Sequence, residues 1–533
     1  MKIVSMLLAV VLVVSAFFVP TVQAEEVSGG FVEELEKAFQ MAEENLANAP
    51  TKIGYESKLN FEFSLKEIPE AYIPVLNKLT AVFKVAANND PANPQFNVDL
   101  ALSNMDTPDS QVNFALYNVA QKIFVELPQV LPKSIMLDIN SIEEMTGQKG
   151  IDFETLASTQ QALQTAYLND VKALLIMVSS KLEALDETKV NLEAGELSEE
   201  LDAKRNVIKG EKIRELAIEV LEYVKTCESY SLMKERMSTF AVSGSEVEDP
   251  DAEIDKAIED MKSKDPAEFA EDLIIANLLD AEGNFRGLQL LLAKDGAEQM
   301  LMQMAELKEE DKSGIIFEVN GSENENTRLI SNYSVQDEAA TGTFSLTVND
   351  EEQAYGDFES LKVSLDEENP QFSFLDGKCN LNIKVKNTIG SSMMEDMEVV
   401  VEEAEEAEEV VEEAEEKLAE NADESAPKAE EVVTTEQEIS IQYEGQTVDK
   451  VHNFRVTVIP NAEMADQYVA VIGEERYLTE DEIVLRAEEP AEVYDVNNPD
   501  DMKALQEDPT IQQNVLNIAA ILGLLQATMP SQQ

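Results

Sequence analysis

Ile53, Tyr55, Leu59, Phe61, Phe63 and Leu65 occupy odd positions, while Glu56, Lys58, Asn60, Glu62 and Ser64 occupy even ones. Successive side chains of a strand point to opposite faces, so this segment reads as a strand with one dry and one wet face. The pattern recurs at Leu79, Ala81, Phe83, Val85, at Phe96, Val98, Leu100, Leu102, at Val112, Phe114, Leu116 and at Ile123, Val125, Leu127, with Asn, Asp and Pro between the runs. One-sided alternation of this kind predicts an antiparallel meander covered on one face. An amphipathic helix over 31–47, with Phe31, Leu35, Phe39, Ala42 and Leu46 on one side, is expected to precede it.

From about 152 the period lengthens. Leu156, Leu163, Tyr167, Val171, Leu174, Val178, Leu182 and Leu185 trace a helical stripe, a second helix is expected over about 205–227, and helical stretches over 251–306. Alternation returns at Ile315, Phe317, Val319, at Phe344, Leu346, Val348, at Leu361, Val363, Leu365, through Cys379, Leu381, Ile383, and again at Ile439, Ile441, Tyr443 and Phe454, Val456, Val458. Shorter strands are expected near Val469–Ile472 and Ile483–Leu485. The words Asn-Pro-Gln-Phe at 93–96 and 369–372 each open a strand and hint at a duplication. The fold class is therefore α+β: antiparallel meanders forming a curved sheet or half-barrel, a helical block between them and an acidic helical insert.

The divisions expected are 1–24, an export signal; 25–150, helix plus first meander; 151–312, helical block; 313–490, second meander with an insert at 390–437; and 491–533, a linker and apolar helix. The first rests on Lys2, the apolar run Ile3 to Pro20 and Val22-Gln23-Ala24 before Glu25-Glu26, the form of a cleavable secretory signal. The insert has 19 acidic and 2 basic residues from Glu395 to Glu436, and Val400, Ala404, Ala407, Val411, Ala414 and Leu418 fall on one helical seam. At the end, Val515, Ile518, Leu522, Leu525 and Met529 form a stripe, but Gln512, Gln513, Asn514, Asn517 and Gln526 make a poor membrane span.

Charge narrows the partners. With 107 acidic against 40 basic residues the net charge is -67, so nucleic acid is not an expected partner and an anionic membrane surface is repelled. Basic envelope proteins and divalent cations are the electrostatically natural company, and any lipid would have to sit against apolar surface. No cofactor is expected and no specific metal site: Asp280, Glu282 and Asn284 alternate oxygens as a calcium loop does, but Arg286 follows where another ligand belongs. No catalytic motif is found, and glycosidase chemistry has only uninformative carboxylate pairs behind it. The single histidine, His452, shares parity with Phe454 and Val456 and reads as structural. Cys227 and Cys379 read as two buried thiols, a disulfide between them being the alternative.

A leading amphipathic helix followed by alternating antiparallel strands, helices and returning strands resembles the lipoprotein-carrier half-barrels, the LolA-like and LppX/LprG-like class. The resemblance is carried by the Phe31 helix and the Ile53 to Leu127 strands, extending to 313–458, with no diagnostic motif. It implies binding of acyl chains without catalysis, and the expected ligand-facing residues are Leu59, Phe61, Phe63, Phe83, Phe96, Phe114, Phe344 and Phe374. The function expected is a non-enzymatic exported binding protein, periplasmic, envelope-associated or secreted. The alternatives are an acidic interaction protein and an enzyme of unrecognised type.

Overall fold

The computed structural model describes Gln40 and residues 50–522, apart from positions 67, 91–92, 140, 142–152, 241–249, 266–268, 270, 322–324, 366–372, 390–432 and 463. The export signal, the 31–47 helix, the second Asn-Pro-Gln-Phe word and nearly all of the acidic insert therefore lie outside the described residues. About 55% of the described residues are strand and about 23% helix.

The first meander is β1 (Lys52–Ser64), a short helix α1 (Ile73–Leu76), β2 (Leu79–Asn88), β3 (Gln95–Asn104), β4 (Thr107–Val119), β5 (Lys122–Glu126) and β6 (Ser134–Asp138). Helix α2 (Phe153–Ser179) follows, then β7 (Glu183–Ala184), β8 (Thr188–Ala194) and β9 (Leu197–Ile208). Three helices come next, α3 (Gly210–Thr226), α4 (Glu228–Phe240) and α5 (Pro250–Ser263). The long run of strands is β10 (Asp272–Leu279), β11 (Phe285–Lys294), β12 (Ala297–Glu309), β13 (Lys312–Asn320), β14 (Asn326–Gln336), β15 (Ala339–Val348), β16 (Glu351–Leu365), β17 (Ser373–Ile389), β18 (Val433–Val448), β19 (Val451–Ile459) and β20 (Tyr468–Tyr477). The chain closes with β21 (Val493–Asp495), α6 (Pro499–Glu507) and α7 (Pro509–Ile521).

All these strands join one sheet. Pairing runs from β8 through β9 and in sequence order to β20, where β1 docks on β20 and carries β2 to β6 onward. Every pairing is antiparallel except β21 on β6, and the sheet is open rather than closed. Tight turns set the register: Asp295–Gly296, Asp337–Glu338, Asn349–Asp350 and Asp449–Lys450 each place two consecutive residues at positive φ. Such two-residue turns match the right-handed twist of the strands they connect.

The helical block expected at 151–312 is corrected. Its helices are α2 to α5, but β7 to β12 run through the same stretch, so 272–309 is strand rather than helix. The segments Ile274–Ile275 and Leu290–Leu292 are apolar on consecutive positions because both faces of the sheet are covered there, which erases the period of two. One face turns inward where the β8–β9 end curls back against β13 and β14. Leu192, Ala194, Leu201, Ala203, Ala276, Leu278, Ala305, Leu307 and Ile316 fill it, and Arg328 donates to the Glu193 carbonyl at 2.9 Å. The other face takes the helices: Ile208 and Leu273 pack with Met177, Val178, Ile213, Leu216 and Val220.

Ile483–Leu485 is not a strand either; a single 3-10 turn, Glu480–Glu482, precedes it and the chain crosses the sheet as coil. The acidic insert is narrower than 390–437, since Val433 to Gln437 already pair with β17, Ile389 standing opposite Val433.

Candidate functional site

Cross-strand partners share a face, so the register traces what each side of the sheet presents. One row reads Phe63, Val469, Val458, Ile441, Leu381, Gly356, Phe344 across β1, β20, β19, β18, β17, β16 and β15. A second reads Phe114, Leu100, Phe83 across β4, β3 and β2. These residues are half-buried rather than sealed in a core, Gly356 excepted. The face they make is continuous with the one that α2 and α3 cover over β9 to β12, through Leu346, Leu329, Phe317 and Met304.

All eight expected residues lie on this face, but the structure does not gather them into one pocket. Nine strand spacings separate Phe114 on β4 from Phe344 on β15, about 43 Å along the sheet at roughly 4.8 Å each. Phe61 and Phe63 stack with centroids 6.4 Å apart. Phe374 reaches the face by an irregularity. Its parity in a regular strand would oppose that of Cys379 and Leu381, but Gly377 has φ +114° and the β16–β17 register slips between Glu359 and Lys362. Bulges re-aim side chains in this way. Phe374 consequently stacks on Tyr477, 5.1 Å between centroids.

Across β20 and the first meander the opposite face is polar and ion-paired. Glu56, nearly buried, meets Lys84 at 2.5 Å and Arg476 at 3.4 Å. Burial alone would raise the Glu56 carboxyl, yet the two cations hold it below the usual carboxylate range. Further along, Arg486 from the crossing segment reaches Asp99 and Glu126, both at 2.7 Å, and lies 4.5 Å from the Tyr117 ring centroid. Burial, with Glu126 accepting its hydrogen bond, pushes the Tyr117 hydroxyl up to about 12. A cleft of about 310 Å³ opens beside Arg486, between Lys84, Asp99, Leu100, Phe114 and Glu126.

A polar cluster interrupts the apolar face at one margin. His452 is 2% exposed, its Nε2 2.9 Å from the Tyr443 hydroxyl and its Nδ1 3.1 Å from that of Thr447. Asp376 lies 3.4 Å away, and Glu475 stands opposite His452 in the register. Neither the Asp376 contact nor the stacking of Phe374 was visible in the sequence; the Asp376-Gly377 pair within an otherwise alternating strand is the signal that marks the kink.

The stretch Asp280, Glu282, Asn284 is a self-satisfied turn. The Asp280 carboxylate accepts from the Glu282 and Asn284 backbone N–H groups at 3.1 and 2.8 Å, from the Asn284 side chain at 3.0 Å and from Arg286 at 3.1 Å. Its oxygens are thereby occupied by donors of its own loop. Cys227 is buried at the end of α3 and Cys379 half-buried on β17, both as free thiols, and burial raises that of Cys379. No helix among the described residues is long and apolar enough to cross a membrane.

No family model matches the chain, and no curated protein does. Solved structures with some similarity include Salmonella typhi OmpF in complex with daunomycin, at 5% identity and a TM-score of 0.16, covering 80% of this chain and 97% of that one. Acinetobacter baumannii OccAB2 is similar at 6% identity and a TM-score of 0.14, covering 80% and 98%. Scores this low carry no argument about fold or function.

Proposed function

We propose that this is an exported, non-enzymatic binding protein of the bacterial cell envelope whose sheet, curved as a half-barrel, holds a lipid-like apolar ligand against its apolar face. The observation that carries the reading is the half-buried row from Phe63 to Phe344, apolar in register over seven strands while the opposite face is spent on ion pairs. Backbone donors and acceptors within a sheet are already paired, so such a face offers an occupant area and shape but little polar readout. That suits acyl chains. The likeness to lipoprotein-carrier half-barrels belongs to the same reading. Native mass spectrometry of the mature chain from its own envelope, before and after organic extraction, tests it. A discrete extractable mass supports the proposal; a bare polypeptide that takes up no added lipid overturns it.

A second reading has one specific observation behind it. Residues 390–432 leave and re-enter the sheet at the facing pair Ile389 and Val433, and this segment supplies about a quarter of the net charge. An acidic excursion at a hairpin tip suits capture of basic envelope proteins. Loss of a basic partner on deleting 390–432, with lipid content unchanged, would favour it.

A further inference from the structure

Charge is segregated by face where β1 joins β17 to β20. On the polar face Arg476 stands opposite Glu56, Lys58 opposite Glu474, and Arg455 and Lys378 on either side of Glu444. The alternate positions make the apolar face. One of its rows reads Phe61, Val471, Val456, Tyr443 across β1, β20, β19 and β18; the next reads Leu59, Gly473, Phe454, Gly445. The row at the margin is Ser57, Glu475, His452, Thr447. Neither these rows nor that of Phe63 contain a Lys or an Arg. Their one carboxylate is Glu475, and a second, Asp376, reaches the same margin, accepting from Thr447 at 2.7 Å.

We propose that the occupant of the apolar face is an amphiphile with a positively charged polar end, its tail laid along the strands over Val471 and Val469 and its ammonium group at Glu475. This rests on the reading of the face as one that holds an apolar ligand, and adds which polar end that ligand carries. Glu475 is half-buried and accepts from the Tyr55 hydroxyl at Oε2. Its other oxygen has no donor among the described residues, and no Lys or Arg among them pairs with it. The carboxylates of the polar face differ in this respect: Glu56, Asp99 and Glu126 each meet a Lys or Arg of the chain itself.

The geometry fits such a molecule in length as well as in sign. Val469 lies six residues from Glu475 along β20, about 20 Å at roughly 3.4 Å per residue. Phe61 and Phe63 flank this path on β1, and Val456 and Val458 flank it on β19. Gly473 does not leave a gap in it, because the Phe454 ring lies where a Cβ would stand, 2.4 Å from its Cζ. Burial raises the Asp376 carboxyl, but hydrogen bonds from Ser364 and Thr447 hold it below the usual carboxylate range, so its charge adds to the negative margin. A phosphate or carboxylate end would meet like charge there, with no cation on that face to offset it, whereas an ammonium group supplies the missing partner.

Calorimetric titration of the full-length mature chain, freed of extractable lipid, with dodecylamine, dodecanol and dodecanoate below their micelle concentrations separates tail from charge. The amine is expected to bind about tenfold more tightly than the alcohol, the size of one charge-assisted contact, and the carboxylate most weakly. Glu475→Gln is expected to abolish the preference for the amine while alcohol binding, which reports an intact face, persists; Glu475→Asp is expected to keep it. Glu474→Gln makes the same change of net charge one residue away on the polar face and is expected to alter nothing. Equal binding of amine and alcohol by the wild-type chain overturns the inference and leaves the ligand-holding reading standing. So does an amine preference that survives Glu475→Gln or falls equally in Glu474→Gln, since the acidic surface at large would then be its source. Failure of all three probes to bind overturns the reading itself.

Discussion

Arg486 and Glu126, separated by 360 positions in the chain, meet at 2.7 Å, with the same guanidinium 2.7 Å from Asp99. The contact fastens the crossing segment between β20 and β21 to the polar face of the first meander, which is otherwise joined to the long run of strands through β1 on β20. Arg486→Ala is expected to lower stability by about 1–2 kcal/mol, discounted because the site is about a third exposed, while Arg486→Lys recovers only part of it. Urea midpoints of the three proteins check this; an alanine variant as stable as wild type would show that the segment is held elsewhere.

The N-terminal strands were legible because their period of two is uncorrupted from Ile53 to Leu127. The strands of 272–309 were not, for two physical reasons. Leu288 to Leu292 is buried on both faces, and Met300, Met302, Met304, Leu301 and Ala305 are good helix formers overridden by their neighbours in the sheet. The local signal that survives is Asp295-Gly296, both at positive φ, which is a hairpin turn and cannot sit in a helix. The pairing of β1 with β20 has no local signal at all. Of the candidate site, the parity of Leu59, Phe61, Phe63, Phe83, Phe96, Phe114 and Phe344 was readable, whereas Phe374 joins them only through the kink at Gly377.

Asp170 and Asp280 tie stability to pH. Burial raises both carboxyls, but Ser229 and Tyr223 around Asp170, and Asn284 and Arg286 around Asp280, hold each below the usual carboxylate range. A depressed folded value means the contribution is present above the ordinary aspartate value of about 3.9 and is lost as pH falls further. The urea midpoint is expected to drop below about pH 4. Asp170→Asn should cost about 1–3 kcal/mol at pH 7 and flatten that acid slope; an unchanged slope in both Asp170→Asn and Asp280→Asn would exclude these residues as its source.

Leu278 and Phe63 are both apolar strand residues, yet one is sealed and the other half-buried. Leu278→Ala removes volume from the enclosed face and is expected to cost about 2–5 kcal/mol. Phe61→Ser with Phe63→Ser is expected to cost less and to cut bound lipid by more than half, read by mass spectrometry of extracts. Equal lipid content in the double variant and wild type would remove these two positions from the ligand face.

Gly356 lies beneath Phe344: a Cβ there would sit 2.5 Å from the ring's Cζ and closer still to the Asn380 carbonyl. The ring crosses the strand where a side chain would otherwise stand. Gly356→Ala is expected to destabilise by about 1–3 kcal/mol, the usual range for overpacking, and to displace Phe344 from the apolar row. Thermal unfolding checks the first effect and lipid uptake the second. A neutral substitution would mean that β16 and β17 part easily here.

Ile389 faces Val433 at the mouth of the acidic excursion, so the 43 residues between them can be replaced by a two-residue Asn-Gly turn without altering the register. Closing a flexible loop costs entropy that grows with the logarithm of its length, about 0.6 kcal/mol per doubling. If residues 390–432 make no contribution to the fold, the shortened chain is expected to be more stable by about 2–3 kcal/mol. The removal of about a quarter of the net charge acts in the same direction at low salt, by easing self-repulsion, and this part disappears at 1 M salt. Urea titrations of both chains at the two salt concentrations separate the terms. A shortened chain less stable than wild type at both concentrations would mean that the excursion packs on the sheet.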